Sequence, residues 1–293
     1  MNIGGFELTD PLPELREPHA MAIVRPWVNV GRVGTLALAR LERHFSARQI
    51  GKLVRPGNYF DFTRYRPRTR ISGDRRQLVL PNSTIGYTQR EEGPDFLLLN
   101  MREPHMSGES YVDSVVEILR MFDVKRYCLL GGMYDVVPHT RPLLVSGSAS
   151  AQKLTDEVRK LRVRETTYQG PTSITTLITQ EARKMGIEHM SFVVHLPQYV
   201  QLEEDYAGAA RLMEILCSLY ELPIELADRK RGENQYAELS AAVNRNPELK
   251  AVLQQLEGQY DQREEAQEPE ESAPPPLSSE VERFLRELDQ ETG

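Results

Sequence analysis

The sequence has two cysteines, one tryptophan and no long hydrophobic run, and these shortages exclude several classes of protein. Cys128 and Cys217 are too few for a disulfide-stapled secreted domain, and both lie in apolar segments, so we expect two buried, reduced thiols. No apolar stretch reaches the roughly 18 residues that cross a bilayer. The start, Met1–Glu7, lacks the basic and apolar regions of a secretory signal. We expect a cytoplasmic protein without a membrane span.

Recognisable catalytic and cofactor motifs are missing as well. There is no Gly-rich phosphate loop and no Gly-x-Ser-x-Gly turn, and the double glycine Gly131–Gly132 lacks the spacing of a dinucleotide fingerprint. The six histidines and two cysteines show neither His-x-x-x-His nor Cys-x-x-Cys spacing, which zinc sites use. We therefore expect no metal and no cofactor, and the sequence assigns no catalytic residue.

Charge is divided unevenly along the chain. The 293 residues carry a net charge of −7, but residues 261–293 hold eleven acidic side chains against three arginines, a net of −8. The remainder therefore carries only +1, which gives no electrostatic footprint for nucleic acid. Hydrophobic residues make up 40% of the chain, enough for a packed core. The sequence predicts a folded body with an acidic C-terminal segment.

Apolar segments of two kinds alternate between residues 19 and 225. Short runs typical of buried strands occur at His19–Val24, Phe96–Leu99, Arg126–Leu130, Pro142–Val145 and His189–Val194. Segments with helical spacing lie near 32–46, 108–122, 148–161 and 205–221. Strands that alternate with helices predict an α/β fold, with a mostly parallel central sheet, helices on both faces and a C-terminal helical appendage.

Composition divides the chain into five segments. In order, they are an N-terminal arm (1–18), an α/β core (19–225), a helical appendage (226–261), an acidic Pro-rich linker (262–278) and a short amphipathic helix (279–293). The appendage has helical spacing and no strand, and Asn246 before Pro247 is a typical helix start. The linker is rich in Glu and Pro, a composition that favours an extended chain.

The last segment has the pattern of a helix that binds a surface. Ser279–Glu282 matches a capping box. Four apolar residues then fall at i, i+3, i+4 and i+7 on one helical face: Val281, Phe284, Leu285 and Leu288. A helix of about 12 residues is marginal alone, so this face predicts a docking partner. That partner is the chain's own body, a neighbouring subunit or another protein.

Polar residues follow two of the predicted strands. Glu103 and His105 come after the second strand, and His139 and Arg141 come after the third. Carboxyl ends of parallel strands meet at one edge of a sheet, where ligands bind, so these four are candidate ligand-binding residues. Glu103 and Arg141 could form a buried ion pair, with the histidines as acid–base groups. The alternative is that Glu103, His139 and Arg141 tie loop backbones together across a subunit contact.

One further stretch is dominated by arginine. The run Arg64–Arg76 contains six arginines, four of them at every second position, so an extended strand would place four on one face. Such a face suits an acidic partner, for which the acidic C-terminal segment is a candidate. The alternative is an edge strand that its charge protects from aggregation. We do not expect nucleic-acid binding, because the body as a whole is nearly neutral.

Several motifs together resemble one protein family. In chain order they are Trp27–Gly31, Gly57–Phe62 with Arg66–Pro67, Glu103–Pro104, Gly131–Pro142, Tyr168–Pro171 and Leu196–Val200. Over about residues 19–225 they resemble the bacterial branch of the proteasome assembly chaperone 2 family. The resemblance implies a fold related to nucleoside phosphorylases and peptidyl-tRNA-type hydrolases, a helical appendage, and self-assembly into rings that look trimeric in bacterial relatives. Eukaryotic and archaeal relatives act as chaperones or proteasome-binding factors.

Two functions compete at this point. The first is a non-enzymatic, chaperone-like or scaffold protein that self-associates, with a trimer favoured, and binds an unidentified protein partner. Proteasome-binding relatives end in a hydrophobic–Tyr–any motif, whereas this chain ends Gln290–Gly293, so we do not expect proteasome docking of that kind. The second is a small-molecule-binding protein or enzyme that uses a phosphorylase-like pocket for an anion or nucleoside-type ligand. The absence of catalytic spacing favours the first.

Overall fold

The computed structural model describes residues 1–73, 75–166 and 168–265, which contain twelve strands and seven α-helices. The strands are β1 (Asn2–Ile3), β2 (Phe6–Leu8), β3 (His19–Arg25), β4 (Arg48–Leu53), β5 (Arg68–Ser72), β6 (Arg75–Val79), β7 (Thr84–Thr88), β8 (Phe96–Arg102), β9 (Arg126–Asp135), β10 (Val145–Ala149), β11 (Val163–Glu165) and β12 (Glu188–Pro197). The helices are α1 (Val33–His44), α2 (Gly108–Met121), α3 (Gln152–Lys160), α4 (Ile174–Lys184), α5 (Tyr206–Tyr220), α6 (Arg229–Val243) and α7 (Pro247–Glu265).

Ten of the strands form one mixed sheet, in the order β1-β2-β4-β7-β8-β3-β9-β12-β10-β11. The four central strands, β8, β3, β9 and β12, are parallel. On one side of these four, the strands β1, β2, β4, β7 and β8 pair antiparallel in that order. On the other side, β10 pairs antiparallel with β12. Parallel neighbours require crossover connections, and helices supply them here. The predicted α/β fold is confirmed, with its parallel strands at the centre of the sheet.

Helices cover both faces of the central strands. Ala20, Ala22 and Val24 of β3 join one core with α2 and α4. Met21 and Ile23 of the same strand join a second core with α1, α3 and α5. Alternate side chains of a strand point to opposite faces, so a strand that is buried on both faces must be apolar throughout. This explains why the predicted strands are continuous hydrophobic runs.

Residues 1–18, expected as an N-terminal arm, supply β1 and β2 at one edge of the sheet. Phe6 and Leu8 are each only 2% exposed. The Gly5 N–H donates to Ser114 Oγ of α2 at 2.8 Å. The segment therefore packs on the core through both apolar contacts and a hydrogen bond.

The segment Trp27–Gly31 runs beside the double glycine of β9. The Gly132 N–H donates to Val28 O at 3.0 Å. A side chain at Gly131 would place its Cβ 2.3 Å from the same oxygen. Only glycine allows the two backbones to approach this closely. Two of the motifs noted in the sequence are therefore the two sides of one tertiary contact.

The appendage consists of α6 and α7 and lies against α5. An added Cβ on Gly232 of α6 would lie 2.6 Å from Ala207 Cα of α5, so these two helices pack closely. Asn246 caps α7 as predicted, since its Oδ1 accepts from the amides of Glu248 and Leu249 at 3.0 and 3.3 Å. The linker was predicted to begin at residue 262, but α7 continues to Glu265. The rest of the predicted linker and the predicted amphipathic helix lie outside the described residues, and so do Val281, Phe284, Leu285 and Leu288.

Three findings bear on the chemistry of the described residues. Cys128 and Cys217 are both free and buried, as the sequence predicts. None of the helices within residues 1–265 that the structure describes is both long and apolar enough to cross a membrane. In the same residues, no three His, Cys, Asp or Glu side chains are grouped as metal ligands.

Candidate functional site

Glu103 follows β8 and binds the start of α4. Its Oε1 accepts from the Ile174 N–H at 2.7 Å, and the Tyr65 hydroxyl donates to its carbonyl oxygen at 3.1 Å. Its second carboxylate oxygen, Oε2, is buried and has no hydrogen-bond partner among the described residues. Burial raises the pKa of Glu103, against the opposing effect of the Ile174 amide. One carboxylate oxygen thus stabilises a helix N-terminus, and the other is unused.

His105, two residues further on, fastens a loop to the end of β8. Its Nδ1 accepts from the Asp61 N–H at 3.1 Å, and its own N–H donates to Tyr59 O at 2.8 Å. Its ring centroid lies 4.4 Å from that of Tyr65. Because Nδ1 is an acceptor, the neutral ring carries its proton on Nε2.

Two arginines lie side by side at the carboxyl ends of β3 and β8, next to Glu103. Arg25 and Arg102 are register partners on these parallel strands. The Nε atoms of both arginines, Asn100 Oδ1 and Glu103 Oε2 are buried without a hydrogen-bond partner among the described residues. Burial, reinforced by Arg102, lowers the pKa of Arg25 to about 10. Buried polar atoms are nearly always paired, so the two arginines are suited to donate to an anion, and the two oxygens are suited to accept from ordered water.

His139 lies in the loop after β9 and joins the core to the appendage. It is 4% exposed. Its Nδ1 is hydrogen-bonded to the Tyr199 hydroxyl, and its Nε2 lies 2.9 Å from Ser240 Oγ of α6. Burial lowers the pKa of His139, so the ring is neutral at pH 7. Both ring nitrogens are occupied, and the contact holds α6 against the core.

Arg141, from the same loop, binds α7. Its Nε and Nη2 lie 2.8 Å from Oδ1 and Oδ2 of Asp261, a bidentate ion pair. Glu257 lies 3.4 Å from its Nη1. The hydrogen bond with Asp261 raises the pKa of Arg141 above its usual range and lowers that of the aspartate. Arg141 therefore fastens the second appendage helix.

The predicted ion pair between Glu103 and Arg141 is wrong. Glu103 binds the amide of Ile174, and Arg141 binds the carboxylate of Asp261. β3 lies between β8 and β9, and the appendage supplies a carboxylate directly to the loop after β9. The four candidate ligand residues therefore form two pairs, one at α4 and one at the appendage.

Sequence reasoning missed a chain of hydrogen bonds across β9, β12 and β10. Asp135 Oδ2 lies 2.7 Å from His195 Nδ1, and His195 Nε2 lies 2.8 Å from Ser146 Oγ. The bond from His195 lowers the pKa of Asp135, which keeps the carboxylate ionised. Separations of 60 and 49 residues leave no local motif to find.

This chain has the order of groups found in a serine hydrolase triad, carboxylate–imidazole–hydroxyl. Such an enzyme also needs donors aimed at an oxyanion. Ser146 lies inside β10, which pairs with both β11 and β12, so strand pairing occupies the backbone amides there. We therefore infer a structural role: Asp135, His195 and Ser146 hold β9, β12 and β10 together.

β5 and β6 form a separate hairpin that contains most of the arginine run, and we call residues 68–79 the arginine hairpin. Ile71 and Leu78 are 73% and 64% exposed. The register places these two side chains on one face, together with Arg76, and places Arg68, Arg70 and Arg75 on the other, together with Val79. An isolated two-stranded hairpin is marginal in water, so the face with exposed Ile71 and Leu78 is a candidate contact surface.

Together these features define an α/β protein with a mixed sheet, a helical appendage held by one loop, and a projecting basic hairpin. The chain belongs to the PAC2 family, whose profile matches residues 23–239. The resemblance drawn from the sequence motifs is thereby confirmed. The comparison with curated proteins gave no match.

Solved structures share this fold at low sequence identity. A Mycobacterium tuberculosis protein of unknown function has a TM-score of 0.78 at 24% identity, covering 90% of this chain and 91% of that one. A proteasome-assembly chaperone homologue from the same organism scores 0.69 at 24% identity, covering 80% and 99%. An archaeal proteasome activator from Pyrococcus furiosus scores 0.62 at 13% identity, covering 83% and 99%. At these sequence identities, the similarity shows a shared fold.

Proposed function

We propose that the protein is a non-enzymatic, chaperone-like assembly or scaffold protein that forms a trimer and binds a protein partner. Membership of the PAC2 family supports a chaperone-like role, because structural neighbours include a proteasome-assembly chaperone homologue and a proteasome activator. The observation that carries the proposal is the arginine hairpin, whose apolar side chains are largely exposed.

The arginine hairpin has the composition of an interaction surface. Burial of an exposed Ile or Leu side chain contributes about 1.5–3 kcal/mol, so Ile71 and Leu78 can anchor a contact. The arginines on the other face attract acidic partners and speed their association. The C-terminal segment is a second contact element, with its four apolar residues at 281, 284, 285 and 288 among acidic ones. Neither element contains a group for covalent chemistry.

The hairpin should control assembly. We expect the double substitution Ile71→Asp with Leu78→Asp to lower the mass in light scattering from about three times 33.5 kDa toward that of a single chain, or to remove the protein partner on affinity purification from the native lysate. Aspartate removes the apolar contact and places a negative charge in it. Both residues are exposed, so folding should be retained, as circular dichroism would verify.

The matched control is Val252→Asp, an equally drastic change at an exposed apolar position of α7, outside the hairpin. It should leave both mass and partner unchanged. A wild-type protein that is monomeric and retains no partner would contradict the proposed function. If the hairpin variant keeps both its mass and its partner, the arginine hairpin is not the contact surface.

Anion binding is the second candidate function, and one observation favours it. At the carboxyl ends of β3 and β8, the Nε atoms of two adjacent arginines are buried and lack hydrogen-bond partners among the described residues. This edge of a parallel sheet is where α/β proteins bind ligands. Arg25 and Arg102 are the cationic groups of this second candidate site, since Arg141 is bound to Asp261.

Thermal unfolding with added inorganic phosphate and nucleosides tests this second function. A ligand at 100 times its Kd adds ~2.7 kcal/mol to the free energy of unfolding, which raises Tm measurably. We expect Arg102→Gln to abolish that rise and Arg120→Gln, an exposed arginine on α2, to retain it. No rise with any of these compounds would count against anion binding and leave the assembly function untouched.

A further inference from the structure

A cleft lies between the edge of the sheet and the appendage. It has a volume of about 1160 Å³. One wall is the end of α3 with the edge strand β11, the floor is α5, and the opposite wall contains Gly232 and Tyr236 of α6 and Tyr260 of α7. This volume is at the upper end of small-molecule pockets, so the cleft has room for a segment of polypeptide.

The cleft is strongly basic. Seven of its lining side chains are basic, and only Glu214 and Glu233 are acidic. Glu214 already pairs with two of the basic residues, Arg211 at 3.3 Å and Arg229 at 2.5 Å. Lys160 and Arg162 are exposed at the rim. Arg141 is already bound to Asp261, and Arg159 lies 3.8 Å from Asp156, so the positive charge open to an occupant is mainly that of Lys160 and Arg162 at the rim.

The cleft is also partly apolar. Six of its lining residues are aliphatic: Leu143, Leu144, Leu161, Val163, Ala207 and Ala210. Val163 and Ala210 are already buried, but the other four are partly exposed, and a phosphate-rich ligand such as nucleic acid would leave them uncovered. An acidic peptide with apolar side chains matches both features.

We propose that the cleft binds residues 266–293 of the same chain. This segment contains eight acidic residues against two arginines, together with the four apolar residues predicted to share one helical face. Its charge is opposite to that of the cleft, and its apolar residues suit the aliphatic lining. This proposal rests on the function proposed above in one respect: it takes the C-terminal segment as a contact element and names the surface that the segment binds.

The last described turns of α7 lie beside the cleft. Tyr260 lines the cleft, and α7 ends five residues later at Glu265, which is about 8 Å further along the helix axis. A chain of 13 residues between this point and residue 279 has a reach of roughly 20 Å as a flexible coil and roughly 40 Å as an extended proline-rich segment. The apolar residues at 281–288 can therefore return to the cleft, and the tether gives them a millimolar effective concentration.

Carbodiimide crosslinking of the full-length protein tests the proposal, because it joins a carboxylate only to a lysine amine in contact with it. The C-terminal segment has no lysine, and Lys160 lines the cleft. We expect crosslinks from the glutamates at 280–291 to Lys160, and none to Lys52 of β4 near the opposite edge of the sheet. High salt should reduce the Lys160 crosslink, because it screens the charges.

Two variants and one mixing experiment sharpen the test. Arg162→Glu at the rim should remove most of the Lys160 crosslink, whereas Arg70→Glu on the arginine hairpin should not affect it. When unlabelled and ¹⁵N-labelled protein are mixed before crosslinking, the two peptides of each crosslinked pair should carry the same isotope. Mixed-isotope crosslinks would overturn docking within a chain in favour of docking on a second copy. Equal crosslinking to all lysines, or none to Lys160, would overturn the cleft as the binding surface, whatever the outcome for assembly through the hairpin.

Discussion

Substitution of Gly131 by alanine should destabilise the protein by about 1–3 kcal/mol or more, since overpacking of a tight site typically costs this much. The new Cβ would lie 2.3 Å from the carbonyl oxygen of Val28, a backbone atom that also accepts the N–H of Gly132 at 3.0 Å. Backbone on both sides prevents the local adjustment that a flexible side chain would allow. The segment Trp27–Gly31 must then move away from β9, and this hydrogen bond is lost.

Urea unfolding at fixed protein concentration would measure this loss. The matched control is Gly258→Ala in α7, where an added Cβ has no atom within 4 Å. Alanine there should stabilise the helix by about 0.5–1 kcal/mol, because glycine is a poor helix former. If Gly131→Ala lowers the free energy of unfolding and Gly258→Ala raises it, the loss at Gly131 comes from the close approach of the two backbones and not from the replacement of glycine as such. Equal stability of Gly131→Ala and the parent would contradict the close packing of the two motifs.

Stability should also fall as the pH drops below 6.5. Burial, with Arg126 and Arg90 nearby, lowers the pKa of His19 to about 3, and burial with Arg183 lowers that of His189 to about 4. In the unfolded chain both titrate near 6.5. Between about pH 4 and 6.5 the unfolded state therefore binds more protons, so the free energy of unfolding rises with pH and falls on acidification. We expect a loss of roughly 1–2 kcal/mol per histidine at pH 5.

Paired unfolding curves at pH 7 and pH 5 isolate this effect from that of the carboxylates. His189→Gln should reduce the difference between the two pH values, because it removes one of the groups that must remain neutral. The exposed His44 is the control, and His44→Gln should keep the full difference. An unchanged pH dependence in the His189 variant would show that its ring is protonated in the folded protein near pH 5.

A large part of the fold could be predicted from periodicity. The segments at 108–122 and 205–221 became α2 and α5 within a residue or two, and the strand at His19–Val24 became β3. Both helices have wide apolar faces, and the central strands are apolar throughout because two layers of helices cover them. The N-cap of α7 at Asn246 was equally readable, since a cap is a local interaction.

One strand was predicted in the wrong place, and the reason is tertiary. The apolar run Pro142–Val145 suggested a strand, but β10 is Val145–Ala149. The sequence of β10, rich in Ser and Gly, is typical of a loop. The Ser146 hydroxyl bonds to His195, and a Cβ on Gly147 would lie 2.1 Å from Ser191 O of the adjacent strand. These long-range contacts override a weak local preference.

The sequence by itself determined the α/β alternation, the helical appendage, the acidic C-terminal segment and the family, because each is written in local spacing or in motif order. Only the tertiary structure decided which side chains meet. It gave Arg141 the carboxylate of Asp261 instead of Glu103, placed Arg25 beside Arg102, and surrounded an apolar cleft with basic residues. Such partnerships depend on strand order and on the docking of distant helices, which bring together residues that no spacing along the chain relates.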